Sequence, residues 1–291
     1  MSTARILLCL DTDAQSSVFD SVVAIDCDVD HVLRHCDVEP AQVRDLVHGA
    51  MFTRGPAALH NTALFVGGSD VHRAEKLLDA VEESFFGNVR VSVMLDPSGA
   101  NTTAAAAVVT AGRHLPFGPE MTATVLAATG PVGQRVVRLL ATEEVEVRVA
   151  SRSMKRAEGV CHRVSSTIAG ARLTPHSTES TEMATLLEGS QLVIAAGSAG
   201  VELLGEPARR AAASVKVAID LNAVPPVGIG GVLQQDKAAN HDGQICYGAL
   251  GVGGMKMKIH KRAIARLFDR NDLVLDAEEI YALGKGLAAG G

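Results

Sequence analysis

The sequence contains no tryptophan, only two tyrosines and seven phenylalanines, so aromatic packing cannot dominate its interior. Yet 47% of its residues are hydrophobic, which leaves Ala, Val, Leu and Ile to fill the core. Parallel strands buried on both faces need such aliphatic runs. The five cysteines (Cys9, Cys27, Cys36, Cys161, Cys246) are scattered, odd in number and without a CxxC pair, a pattern of neither a disulfide framework nor a zinc site. The ten histidines show no ligand spacing such as HExxH, and no metal is expected. Positive charge is also short. The net charge of −6 gives no reason to expect nucleic acid as a partner. No apolar run approaches the roughly 20 residues that span a bilayer. The opening MSTARILLCLD carries a single Arg and a short apolar run ending on Asp11, which reads as a first strand rather than a signal peptide. A cytoplasmic protein with no membrane partner is the expectation.

What the chain does have is alternation. Apolar runs of strand length (residues 5–10, 31–35, 63–66, 90–95) alternate with helical stretches (16–24, 40–49, 71–85, 101–111), and Asp70 is placed to cap the third helix. A Gly- and Pro-containing stretch, GRHLPFGPE over 112–120, reads as a linker. Strands are then expected at 124–128, 146–150, 192–196 and 215–221, with a weaker one at 173–176, and helices beginning near Pro131, Ser153, Ser180 and Glu206. A helix over 254–270 would bury Met257, Ile264 and Leu267 on one face, with its Lys and Arg on the other. A last helix follows at 276–287. The pattern is α/β, with an N-terminal α/β domain over 1–115, a Rossmann-type doubly wound parallel-sheet domain over 116–253, and C-terminal helices over 254–291.

The central motif is TVLAATGPVGQRVVRLLA, residues 124–141. A strand runs into Thr129, Gly130, Pro131, Val132 and Gly133, and a helix follows. Gly130 lets the backbone approach a pyrophosphate at the helix N-terminus, where free N–H groups and the helix dipole favour an anion. Pro131 suits the first helical turn, and Gly133 permits close packing of helix on strand. The first glycine of the usual G-x-G-x-x-G is Ala128 here. The end of the next strand decides the cofactor. An NAD site places an acid there, on the ribose hydroxyls; this chain has Ser151, Arg152, Lys155 and Arg156. Cations at a helix start oppose its dipole unless an anion is bound, and Arg152 can engage a phosphate in bidentate fashion. NADP is therefore expected.

These blocks also carry a resemblance. DTDAQSSVFD (11–20), VGG (66–68), VSVMLDPSGANTTAAAA (91–107), TGPVG (129–133), AGSAGVELL (196–204), NAVPPVGIGG (222–231), GALGVGGMKMKIH (248–260) and DAEEIY (276–281) resemble the NADP-dependent methylene-tetrahydromethanopterin dehydrogenases of one-carbon metabolism. The resemblance implies an N-terminal pterin-binding domain and an active site in a cleft between two domains, with the C-terminal helices packing back across it. It also implies oxidation of a methylene bridging two pterin nitrogens to a methenyl cation, methylene-tetrahydrofolate being accepted by some members, and a homo-oligomer. The YxxxK motif of the related folate enzymes has no counterpart, since Tyr247 and Tyr281 are the only tyrosines. A hydride pushed out by nitrogen lone pairs requires no general base, only positioning and support of a cationic product.

The matching blocks supply candidates. Lys256, Asp20 and Thr102 are assigned to catalysis, with Lys256 as the cation against the pterin ring. Asp96, Asn101, Thr103 and Lys258 are assigned to substrate binding. Asp20 and Asp96 could equally cap a helix or turn, and Asn101, Thr102 and Thr103 could equally cap or touch the nicotinamide. Ala196, Gly197, Asn222 and Pro225 lie at strand ends and are assigned to the cofactor, with an ordinary Pro-rich turn as the alternative for the last two. Gly251, Gly253 and Gly254 are expected to form a close-approach loop before the long helix, and His260 to be a helix-surface residue. Two other functions share some of these features: a shikimate-type NADP-dependent dehydrogenase, which wants a Lys–Asp pair in the first domain where Lys76 is the only lysine, and a non-catalytic NADP sensor.

Overall fold

The computed structural model describes residues 3–290. In chain order it runs β1 (Ile6–Asp11), α1 (Val18–Ile25), β2 (His31–His35), α2 (Pro40–Phe52), β3 (Thr62–Gly67), α3 (Val71–Glu83), β4 (Ser92–Leu95), α4 (Ala100–Gly112), β5 (Thr122–Leu126) and α5 (Pro131–Thr142). It continues through β6 (Glu146–Ser151), α6 (Met154–Thr167), β7 (Leu173–Ser177), α7 (Met183–Leu187), β8 (Leu192–Ala195), α8 (Glu206–Ala211) and β9 (Val217–Asp220). The last elements are β10 (Lys237–His241), β11 (Gln244–Tyr247), α9 (Ala249–Arg266), β12 (Val274–Leu275) and α10 (Ala277–Ala289). The chain divides into two compact units, the first of residues up to 102 together with those from 257 onward, the second of residues 103–256.

The first unit holds a sheet in the order β12-β4-β3-β1-β2, parallel at every pairing. Side chains alternate across a strand. Leu8, Leu10, Leu64, Val66, Val93 and Leu95 face a core with Val43, Val47 and Met51 of α2 and Leu77 and Val81 of α3. The opposite face carries Cys9, Phe65 and Met94, aligned across β1, β3 and β4. Caps fix the helix starts: Ser17 accepts from the Asp20 N–H, and Asp70 from that of Arg73, as its sequence position predicts. The order about β1 reverses between β1 and β3, a topological switch point.

The second unit has the order β10-β11-β9-β8-β5-β6-β7. Only the β10–β11 pair is antiparallel. The interior strand β5 is largely buried, and strand order reverses between β5 and β8, so the crevice at their carboxyl ends is where a doubly wound sheet binds ligands. The β10–β11 hairpin was not expected. Its signal is Asp242-Gly243 between the paired residues His241 and Gln244, both with positive φ (55° and 84°), as a two-residue hairpin turn requires. Arg209 of α8, 1% exposed, ties the hairpin down through the Gln244 amide oxygen at 2.8 Å and the Asp242 carboxylate at 2.8 Å. That guanidinium holds the Asp242 carboxyl below the usual carboxylate range.

Two expectations are corrected. The long helix starts at Ala249, not 254, so Gly251, Gly253 and Gly254 lie inside it rather than in a loop before it. The reason is packing. A Cβ on Gly248 or Gly251 would collide with the backbone carbonyls of Leu233 and Asp236, so these glycines bring the helix start against the turn before β10. The helix predicted from Ser180 begins instead at Met183.

Candidate functional site

In the second unit β5 ends at Leu126, and Ala127 turns the chain with a φ of 53°. Ala128 is fully buried, its N–H donating to the Ala150 carbonyl of β6 at 2.9 Å. Its Cα explains Gly133: a Cβ there would stand 2.8 Å from that Cα and 2.7 Å from the Ala127 oxygen. Gly130 is the N-cap of α5 and supplies no side chain to the helix end. A Cβ on Gly130 would stand 3.6 Å from the Ala127 and Ala196 carbonyl oxygens, so the glycine lies between these two strand ends. The first turn of any helix leaves N–H groups such as those of Val132 and Gly133 without intrahelical acceptors. A bare helix end at the switch point fits a pyrophosphate.

The loop is braced. The Gln134 amide donates to the Thr129 carbonyl at 2.9 Å, and the Thr129 hydroxyl lies 3.3 Å from that of Ser151. Ser151, buried at the end of β6, accepts in turn from the Ser153 N–H. The turn that follows exposes Arg152, Lys155 and Arg156 and contains no acid. Its backbone is held by Ser177 of β7, whose hydroxyl donates to the Arg152 carbonyl at 3.1 Å. Gln134 and Ser177 carry no sequence signal, because their roles depend on which strands pair. At the end of β8 the Ala196 N–H donates to the Leu126 carbonyl at 3.1 Å, keeping Ala196 and Gly197 beside the loop. Asn222 is committed to its own turn: its amide nitrogen donates to the Pro226 carbonyl at 3.0 Å and its oxygen accepts from the Val224 N–H at 2.9 Å. It shapes the turn, and Pro225 is exposed there. Burial pushes the Asp220 carboxyl up, while N–H groups of Asn222 and Ile229, at 3.0 Å each, counter the shift. Thr103, partly buried on α4, and Lys256, half-buried on α9, also belong to this unit.

The first unit brings together Asp20, Asp96, Asn101 and Thr102. Asp96, fully buried, accepts from the N–H groups of Asn101 (2.9 Å) and Thr102 (3.1 Å) and from the Thr102 hydroxyl (2.7 Å). Asn101, also fully buried, donates to the Leu95 carbonyl at 2.6 Å and to Asp276 at 2.9 Å. Asn101 and Thr102 thus hold Asp96 and the neighbouring chain, the capping alternative for those residues. Asp20 keeps 12% of its side chain exposed. Lys258 is exposed on α9.

His260 joins this group, which corrects its placement on a helix surface. Its side chain is 0% exposed, with Nε2 3.5 Å from Asp20 and Nδ1 3.6 Å from Asp96. Phe19 meets the ring edge-on and Phe65 lies nearly parallel to it. The sequence held a signal. Met257, His260, Ile264 and Leu267 are spaced three, four and three residues apart, so His260 falls in the apolar stripe of its own helix. Among the described residues no group of three or more His, Cys, Asp or Glu is arranged to hold a metal, and no helix is long and apolar enough to cross a membrane.

Comparison with known proteins gives this arrangement a lineage. Residues 18–98 match the family model described as methylene-tetrahydromethanopterin dehydrogenase, N-terminal. The bifunctional protein MdtA of Methylorubrum extorquens is 41% identical over 98% of this chain and 99% of its own. The chain belongs to the methylene-tetrahydromethanopterin dehydrogenase family. An NAD(P)-dependent methylenetetrahydromethanopterin dehydrogenase of the same organism is 27% identical over 94% of this chain and 95% of its own. A transhydrogenase structure from Sinorhizobium meliloti covers 98% of this chain and 94% of its own at 13% identity and a TM-score of 0.45. Within the family match lie Asp20 and Asp96, whereas Lys256 and His260 fall outside the matched residues.

Proposed function

We propose that the protein oxidises the methylene carbon of methylene-tetrahydromethanopterin to the methenyl cation, with the hydride passing to NADP. The observation that carries the reading is the second unit's pairing of a bare helix end at the switch point with an acid-free turn of three exposed cations. The first fits a pyrophosphate and the second a 2′-phosphate. The pterin half is supported by family membership and by the substrate in the printed name of the 27% identical relative. When bound, the nicotinamide accepts the hydride. Everything else falls to the chain.

One C–H bond breaks with its electron pair leaving for the cofactor, and the nitrogen lone pairs take up the positive charge, so no proton is abstracted. Asp20, the acid of its cluster that retains exposure, supports that charge, with Asp96, Asn101 and Thr102 behind it. Lys256 contacts the pterin ring. Beside it, Gly253 and Gly254 would meet nothing within 4 Å if given a Cβ, a side-chain-free strip on which a flat ring can lie. Lys258 and Thr103 serve substrate polar groups. Five free cysteines support a reducing, cytoplasmic setting, and exposed Val18, Val22 and Ile25 on α1 support a homo-oligomer.

The test is turnover. NADP reduction is followed with methylene-tetrahydromethanopterin, methylene-tetrahydrofolate and shikimate. Reduction with the methanopterin substrate is expected. NADP binding without turnover on any of the three, or turnover of shikimate alone, would overturn the proposal.

A further inference from the structure

We propose that His260 is a buried imidazolium bridging Asp20 and Asp96, and that it acts as a positioning residue holding the Asp20 carboxylate for the substrate's developing positive charge. The second clause rests on the role given to Asp20 above; the first does not.

The geometry sets the protonation. A neutral imidazole has one N–H donor and one lone pair on its other nitrogen. Here both nitrogens lie within ion-pair distance of carboxylate oxygens, Nε2 3.5 Å from Asp20 and Nδ1 3.6 Å from Asp96. With one proton on the ring, a lone pair would point at a carboxylate; with two, each carboxylate faces a donor. The Asp96 oxygens already accept three hydrogen bonds from protein donors, the environment of an ionised carboxylate rather than a proton-bearing acid. Burying a charge is costly unless it is paired, and this cation would have a carboxylate on either side. Phe65 lies nearly parallel to the same imidazole, with centroids 6.2 Å apart and planes 22° from parallel.

The other titratable groups on this side are mostly acids, with Arg34 of β2, in register with Cys9, as a cation among them. Asp20 faces the ring from α1 and Asp96 from the turn after β4. On β1, burial pushes the Cys9 thiol up to about 12, so it stays neutral. Asp11 is also on β1. Burial raises its carboxyl pKa, while the N–H groups of Asp13 and Ser17 that it accepts work against the shift. Of the two carboxylates on the ring, Asp96 is enclosed and Asp20 keeps 12% exposure. The bridge therefore anchors at Asp96 and steers Asp20.

The experiment is nitrogen NMR on the full chain labelled with 15N-histidine, with the His260 signals assigned by their loss in His260→Gln. At a pH near 7.5, both His260 ring nitrogens are expected to be protonated in the wild type, and that state is expected to disappear in Asp20→Asn. A wild-type His260 carrying one ring proton overturns the proposal, and this holds even if His260→Gln does not fold, since Asp20→Asn then supplies the assignment. In kinetics, His260→Gln should lower kcat about ten- to a hundredfold, through loss of the ion pair that orients Asp20, with KM for NADP unchanged. Wild-type kcat in a folded His260→Gln overturns the positioning role. If instead Asp20→Asn keeps wild-type turnover while His260 is doubly protonated, the role of Asp20 fails and the bridge stands.

Discussion

Arg152 stands exposed at the end of β6, on a backbone that Ser177 fixes by its hydroxyl. If its guanidinium reads the 2′-phosphate, Arg152→Ala should weaken NADP binding by about 1.5–3 kcal/mol, the worth of one hydrogen bond to a charged group, and leave NAD nearly unaffected. Calorimetric titration with both cofactors checks this; equal losses would mean that Arg152 does not read the phosphate. Its candidacy rests on a local signal, a missing acid and an added cation at a known offset from the glycine loop. His260 was equally visible as a letter in an apolar stripe. What the sequence could not supply was its partners, since Asp20 and Asp96 come from parts of the chain far from α9 and meet it only through the sheet.

At the scale of elements, α9 carries glycines at a cost. Each glycine in a helix interior is about 1 kcal/mol less favourable than alanine, so a helix that keeps several has a use for the space. Gly251 uses it against the backbone of Asp236, and Gly248, just before the helix, packs likewise against that of Leu233. Gly254 touches nothing within 4 Å where its Cβ would be. Gly254→Ala should therefore stabilise the fold, by roughly 0.5–1 kcal/mol, seen as a small rise in Tm. If the strip seats the pterin, the same variant should raise KM for the pterin and leave KM for NADP alone; an unchanged pterin KM would remove the strip from the site. Most strands and helices were readable from aliphatic runs, and their ends lay within a few residues. The β10–β11 hairpin escaped because β10 is polar and mostly exposed and β11, though buried, is only four residues long, although Asp242-Gly243 marked the turn. Strand β12 escaped for a different reason. Two residues, Val274 and Leu275, carry no period, and only their pairing with Val93 and Met94 makes them a strand.

At the scale of the whole molecule, each unit is a doubly wound sheet with its own switch point, and the family match covers most of the first. The α/β class was legible from alternation alone. The association of residues beyond 257 with the first unit was not, because it depends on contacts between opposite ends of the chain. The functional account makes one demand on the molecule: the hydrogen must move directly from the substrate's methylene carbon to the cofactor, with no exchangeable group between them. Substrate carrying deuterium on that carbon, turned over in ordinary water with NADP, tests this most directly. The account predicts that deuterium appears on the nicotinamide ring of the reduced cofactor and none in solvent. Deuterium released to water during turnover would contradict it.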